Sequence, residues 1–240
     1  MRLSNVDRPA FEAHRHWSGD EPTRILFVRH GETDWNVKRI IQGWTGTSLN
    51  ALGRRQAALM AGRVAKMGLK IDRVLSSDLG RAHQTAAILA KRLKLTVHKD
   101  LLLRERRFGE WEGKRIEEVL ASFKLGPKAR KDPFLAFDPK GGESMAVFSK
   151  RMQRFLDKVV RLYPGETIAA VSHGGPVRIA ACLATGIPPR VYFRLGRPGN
   201  VSLSLLGHQG GVWWAEFYND MGHLEGVPGS RERAQGGKRG

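Results

Sequence analysis

Two apolar runs that each break off into histidine and glycine constrain this chain more than any other feature. Ile25, Leu26, Phe27 and Val28 lead into Arg29, His30, Gly31 and Glu32, and the run from Ile168 to Val171 leads into Ser172, His173, Gly174 and Gly175. Four consecutive apolar residues predict a strand covered on both faces, as in the centre of a parallel sheet. Ligands of open α/β sheets collect at the carboxyl ends of strands, so each run delivers an imidazole to such a rim.

The segments between them support the same architecture. After Asn50 the apolar spacing turns helical through Leu52, Leu59, Met60, Val64 and Met67, with Gly68 as the stop. Ala86, Leu89, Ala90 and Leu93 mark a second inward face behind Gly80 and Arg81, and a third helix follows the cap Ser144 through Met145, Phe148, Met152, Phe155, Leu156, Val159 and Leu162. A short helix is expected over 116–123 and another over 176–185. Strands are expected over 24–29, 72–78, 95–98 and 167–172, with an edge hairpin over 201–206 and 212–217. Alternating strands and helices predict a three-layer α/β/α sandwich with a mostly parallel central sheet and right-handed connections.

Length and charge narrow the classes of function. The 240 residues suit one large domain, here 24–224, preceded by a polar leader over 1–23 and followed by a Gly-rich, charged tail over 225–240 expected to be disordered. No apolar run reaches a membrane span, and the leader carries acids and no apolar centre, so a soluble, cytoplasmic protein is expected. The single cysteine, Cys182, excludes an internal disulfide and any multi-cysteine metal site. A formal charge of +18 favours anionic ligands, but its basic residues form no stripe interleaved with aromatics, which argues against nucleic acid. The sequence sets no oligomeric state.

Three strand exits therefore carry His30, Arg81 and His173. Arg29 lies beside the first, and a carboxylate, Glu105, sits among Arg104, Arg106 and Arg107. Two histidines, two arginines and a carboxylate fit phosphoryl transfer to histidine. Planar arginine forks match the equatorial phosphoryl oxygens, and a neutral imidazole supplies the nucleophile. The basic stretch 124–142, with Lys124, Lys128, Arg130, Lys131 and Lys140, could serve as a lid or be solvated loop charge.

The chain resembles the histidine phosphatase superfamily, the phosphoglycerate mutase-like proteins, from Arg24 to about Leu224. The matching residues are Arg29-His30-Gly31-Glu32-Thr33 with Trp35-Asn36, Gly53-Arg54-Arg55-Gln56-Ala57, Ser76-Ser77-Asp78-Leu79-Gly80-Arg81-Ala82 and Thr85-Ala86. Leu103-Arg104-Glu105, the run from Phe108 to Gly113, Gly141-Gly142-Glu143-Ser144 and Ser172-His173-Gly174-Gly175 complete the order. The resemblance implies a phosphohistidine on His30 held by Arg29, Arg81, His173 and Asn36. Glu105 would be the proton donor and acceptor, Gln42, Gly43 and Gly174 would add phosphate contacts, and no metal or cofactor would take part.

Within the family, mutases carry a long insertion after the acid, whereas 36 residues separate Glu105 from Gly142 here. The second motif also reads His-Gly-Gly, as in the phosphatase branch, where mutases have His-Gly-Asn. A phosphatase similar to the broad-specificity and α-ribazole phosphatases is therefore expected, acting on a small phosphorylated metabolite. Arg106, Arg107 and the basic stretch favour a substrate with a second anionic group. The competing readings are a mutase or fructose-2,6-bisphosphatase-like activity, a non-catalytic binding scaffold, and a nucleic-acid-binding module.

Overall fold

The computed structural model describes residues 21–122 and 138–227. Nearly the whole leader, most of the basic stretch and most of the tail lie outside the described residues; Lys140, which lies inside them, is exposed.

Strand β1 (Thr23–Arg29) is buried along almost its whole length, and β4 (Thr167–Ser172) along all of it. They run parallel, with Arg29 opposite Ser172. Strands β2 (Arg73–Ser76) and β3 (Val97–Lys99) extend the parallel sheet beyond β4. Strands β5 (Leu203–Gln209) and β6 (Val212–Asp220) add an antiparallel hairpin on the other side of β1, giving the order β3-β2-β4-β1-β5-β6. The hairpin was expected at the edge, but only β6 lies there: β5 is an inner strand bonded to β1. The third strand begins two residues later than expected, and Leu101–Leu103 forms a single 3₁₀ turn.

Alternate residues of each strand face opposite layers. Ile25, Phe27, Ile168 and Ala170 meet Phe148, Met152, Phe155, Leu156 and Val159 of helix α5 (Met145–Leu162), together with Val177 and Ile179 of α6 (Gly174–Ala184). Leu26, Val28, Ala169 and Val171 meet Ala57, Met60, Ala61 and Val64 of α2 (Ala51–Val64), with Ala82, Ala86 and Leu89 of α3 (Gly80–Leu93). Two short helices, α1 (Asp34–Val37) and α4 (Ile116–Ser122), lie in the connections. Each fully buried large apolar side chain contributes about 1.5–3 kcal/mol. Cys182 is buried in the first layer.

Two residues expected to face inward do not. Leu59 is 37 % exposed because the inner face of α2 is built from the smaller Gly53, Ala57 and Ala61 with Gln56 and Met60. Leu162, at the last turn of α5, is 46 % exposed where that helix runs past the edge of the core.

The topology also fixes where a ligand can sit. From β1 the chain crosses over α2 on one face to reach β2; from β4 it crosses over α6 on the opposite face to reach β5. The two crossovers leave adjacent strands in opposite directions, which opens a crevice at the carboxyl ends of β1 and β4.

Candidate active site

That crevice holds a cavity of about 260 Å³. Arg29, His30, Asn36, Gln42, Gly43, Arg81, Glu105 and Gly174 all line it, so eight of the nine residues singled out from the sequence share one surface. The ninth, His173, is fully buried and packs against His30 with ring centroids 5.2 Å apart.

His30 leaves β1 with its backbone N–H donated to Ser172 O at 2.9 Å, which ties the two strand exits together. Its Nδ1 lies 2.7 Å from Gly31 O. A carbonyl has no proton to give, so Nδ1 carries the hydrogen and Nε2 keeps its lone pair. Burial, then the Arg81 and Arg29 cations, hold the His30 pKa well below the usual imidazole value. His173 is held low by burial, Arg81 and His30. Its Nε2 meets Ser77 Oγ at 2.9 Å, and its Nδ1 is buried with no hydrogen-bond partner.

Both floor arginines are almost completely buried. Arg29 donates from NH1 to Pro198 O at 2.5 Å, and Arg81 donates to Gly43 O at 2.8 Å and to Thr45 O and Thr47 Oγ1 at 3.1 Å. Each leaves Nε buried without a partner. Burial and the nearby Arg197 charge push Arg29 down to about 9, and burial pushes Arg81 down to about 10. Both remain cations at neutral pH, and Arg29 feels the like charges of Arg197 and Arg81. An anion that accepts their free donors relieves that repulsion and fills orphaned hydrogen-bonding capacity.

The remaining donors are oriented by local structure. Asn36 belongs to the capping box of α1: its Oδ1 accepts from Thr33 N and Thr33 Oγ1, both at 3.1 Å, and from Asn200 Nδ2 at 3.3 Å. With the oxygen so occupied, the amide NH₂ is the group left for the cavity. Gly43 takes a φ of +46°, and any Cβ there would lie 2.1 Å from Glu112 Oε1, so only glycine fits this close-packed loop. Gly174 opens α6 at the cavity, where helix N-termini favour anions.

Glu105 reaches the cavity on a pinned segment. Ser172 Oγ donates to Leu103 O at 2.6 Å, Arg151 donates to Leu102 O, Arg104 O and Glu105 O, and Trp44 Nε1 donates to Glu105 O at 2.8 Å. The carboxylate accepts from Arg106 N at 2.9 Å and Gly175 N at 3.3 Å. A Cβ on residue 175 would sit 2.3 Å from Glu105 Oε1. The second glycine of the His173 motif therefore makes room for the Glu105 side chain.

The neighbouring arginines are placed differently from one another. Arg104 forms a bidentate pair with Asp78, Arg106 is buried, lines the cavity and donates to Glu143 O and Asp138, and Arg107 lies over Trp44 and does not line the cavity. Besides Arg106, the cavity is lined by three further cations that sequence reasoning passed over, Arg39, Arg178 and Arg197. Arg151 and Asn200 were also missed. Asn200 Nδ2 donates to His30 O at 3.0 Å as well as to Asn36, bracing the His30 backbone and the Asn36 amide together. A Pro-Gly turn ending in Asn200 just before a strand was the available signal.

The sequence profile of the histidine phosphatase superfamily (branch 1) matches residues 25–221. The chain belongs to this superfamily. It is 37 % identical over 207 residues to a protein named probable phosphoglycerate mutase GpmB from Yersinia enterocolitica, covering 84 % of this chain and 95 % of that one. Among solved structures it is similar to a mycobacterial glucosyl-3-phosphoglycerate phosphatase complexed with VO3, with a TM-score of 0.73, 30 % identity, and coverage of 82 % and 98 %. It is likewise similar to YhfR of Bacillus stearothermophilus, with a TM-score of 0.75, 27 % identity, and coverage of 85 % and 100 %. Among the described residues no three His, Cys, Asp or Glu side chains group to hold a metal ion, and no helix is long and apolar enough to cross a membrane.

Proposed function

We propose that this member of the superfamily is a phosphomonoester hydrolase that works through a phosphohistidine on His30 without a metal, acting on a small phosphorylated metabolite. The observation that carries the reading is the His30 ring: neutral by burial, with Nδ1–H committed to Gly31 O and Nε2 free beside two buried guanidiniums.

In the first step the Nε2 lone pair attacks phosphorus while the P–O bond to the leaving group breaks. Arg29, Arg81, the Asn36 amide, the Gln42–Gly43 loop and the Gly174 end of α6 surround the phosphoryl oxygens, where preorganised donors supply most of the available catalysis. The orphaned Nδ1 of His173 is a candidate for a further contact. Glu105, protonated at this stage, gives its proton to the departing oxygen. In the second step water attacks phosphorus, its proton passes to the Glu105 carboxylate, and the N–P bond breaks to release inorganic phosphate. Solved relatives named as phosphatases support the hydrolytic outcome.

The test is phosphate release from an aryl phosphate by wild type and His30→Ala, each with and without a chelator. Chelator-insensitive release that vanishes in His30→Ala is expected, and activity surviving in the mutant overturns the reading. A second reading is favoured by the relatives named phosphoglycerate mutase. Phosphate moved within a phosphoglycerate, with no inorganic phosphate released, would establish it.

A further inference from the structure

The mouth of the cavity holds more positive charge than its internal pairs consume. Arg39 is paired with Glu117, and Arg178 donates to Tyr192 O at 3.0 Å and Leu195 O at 2.8 Å. Arg197 differs from both: among the described residues it forms no hydrogen bond and no ion pair, and it keeps an exposed face while lining the cavity. Its charge is felt by Arg29 on the floor, and the carboxylate it feels most is Glu105. Arg197 thus lines the same cavity as the phosphoryl floor and the acid that faces the leaving group.

The loop carrying it is fixed to the site at several points. Pro198 O accepts from Arg29, Asn200 donates to His30 O and Asn36, and Val201 N donates to Arg29 O and His30 O at 3.1 and 3.3 Å. Gly199 N is held by Asn219 Oδ1 at 2.8 Å. A long cationic side chain on a backbone tied to the nucleophile is preorganised rather than merely nearby. The cavity lies below the usual roughly 300–1,000 Å³ of small-molecule sites, so the group it meets must lie few bonds from phosphorus.

We propose that Arg197 binds a second anionic group on the leaving-group side of the substrate, so that the preferred ligand is a compact phosphomonoester carrying a carboxylate or a second phosphate. This rests on the phosphomonoester reading above, and it adds the loop before β5 to the charges named from the sequence.

The experiment measures binding by calorimetry to full-length His30→Ala, in which turnover is removed and folding is checked by thermal melting. The probes are phosphoglycolate, propane-1,3-diol bisphosphate and ethyl phosphate. At least one of the two doubly anionic probes is expected to bind about tenfold tighter than ethyl phosphate, as for a charge-assisted hydrogen bond. That preference should fall below about twofold in His30→Ala/Arg197→Gln and be partly retained with Arg197→Lys. Preference for only one of the two probes supports the proposal and names the anion. A preference that survives Arg197→Gln, equal weakening of all three probes, or binding of none overturns it. Hydrolysis by wild type is read separately by phosphate release, so a failed reaction with an intact binding preference refutes the chemistry and not this subsite.

Discussion

Replacing Gly175 with alanine sets a methyl 2.3 Å from Glu105 Oε1 and 3.1 Å from Phe148 Cζ, where ordinary contact begins at 3.4 Å. The carboxylate is the mobile partner, so it must retreat by about 1 Å, and a misplacement of that size costs on the order of 10²-fold in rate. The helix itself should not suffer. Residue 175 lies in the first turn of α6, and alanine is favoured over glycine in helices by up to about 1 kcal/mol. The assay compares an alkyl phosphate, whose leaving oxygen needs a proton, with p-nitrophenyl phosphate, whose leaving group does not. A fall of about 10²-fold in kcat/KM on the alkyl ester, about 2.7 kcal/mol in barrier, is expected, with a loss below about tenfold on the aryl ester and little change in Tm. Equal losses on both substrates, or none on either, would refute the role given to Glu105 and to the space beside it.

Asn200→Ala removes the donor to His30 O and Asn36 Oδ1, and should lower kcat/KM about tenfold while Asn200→Asp, which cannot donate, gives no rescue. Wild-type kinetics in Asn200→Ala would remove the brace from the mechanism. Acidification should destabilise the fold. His30 and His173 have pKa values well below the roughly 6.5 of the unfolded chain, so the unfolded state binds more protons and stability rises with pH through that region. Their contribution is complete above about pH 6.5 and is lost below it, at a slope approaching about 2.7 kcal/mol per pH unit for the pair. His208 and His223 shift in the same direction. Urea midpoints at pH 7.5, 6.5 and 5.5 measure it, and a flat profile contradicts the buried neutral imidazoles.

The strands that build the site were legible because β1 and β4 are covered on both faces and so read as unbroken apolar runs. Arg29, His30 and Arg81 followed from the rule that parallel strands deliver ligand groups at their carboxyl ends. Arg197 and Asn200 escaped the same rule for a topological reason. They precede a strand, and a residue before a strand reaches the rim only when that strand is antiparallel to its neighbours, as β5 is to β1. Strand direction is a property of the assembled sheet and leaves no mark on a short segment. Arg107 differs for another reason: adjacency to Glu105 in sequence says nothing about where a guanidinium points, and Arg107 lies over Trp44 while Arg106 lines the cavity. In α2, the small residues that let the helix approach the sheet carry little apolar weight, so Leu59 drew attention away from the true inner face.

The sheet order has a consequence for the growing chain. Among the described strands β1 emerges first, yet its neighbours on both sides, β4 and β5, are among the last to be made. Until then a strongly apolar strand has two unpaired edges, the situation in which nascent chains associate with one another. His30 sits at the end of that strand, and its backbone is held from one side by Ser172 and from the other by Asn200 and Val201. The hydrogen bonds that hold the His30 backbone are therefore complete only once β4 and the loop before β5 have joined β1. Slow, long-range pairing is the kinetic signature to look for in refolding.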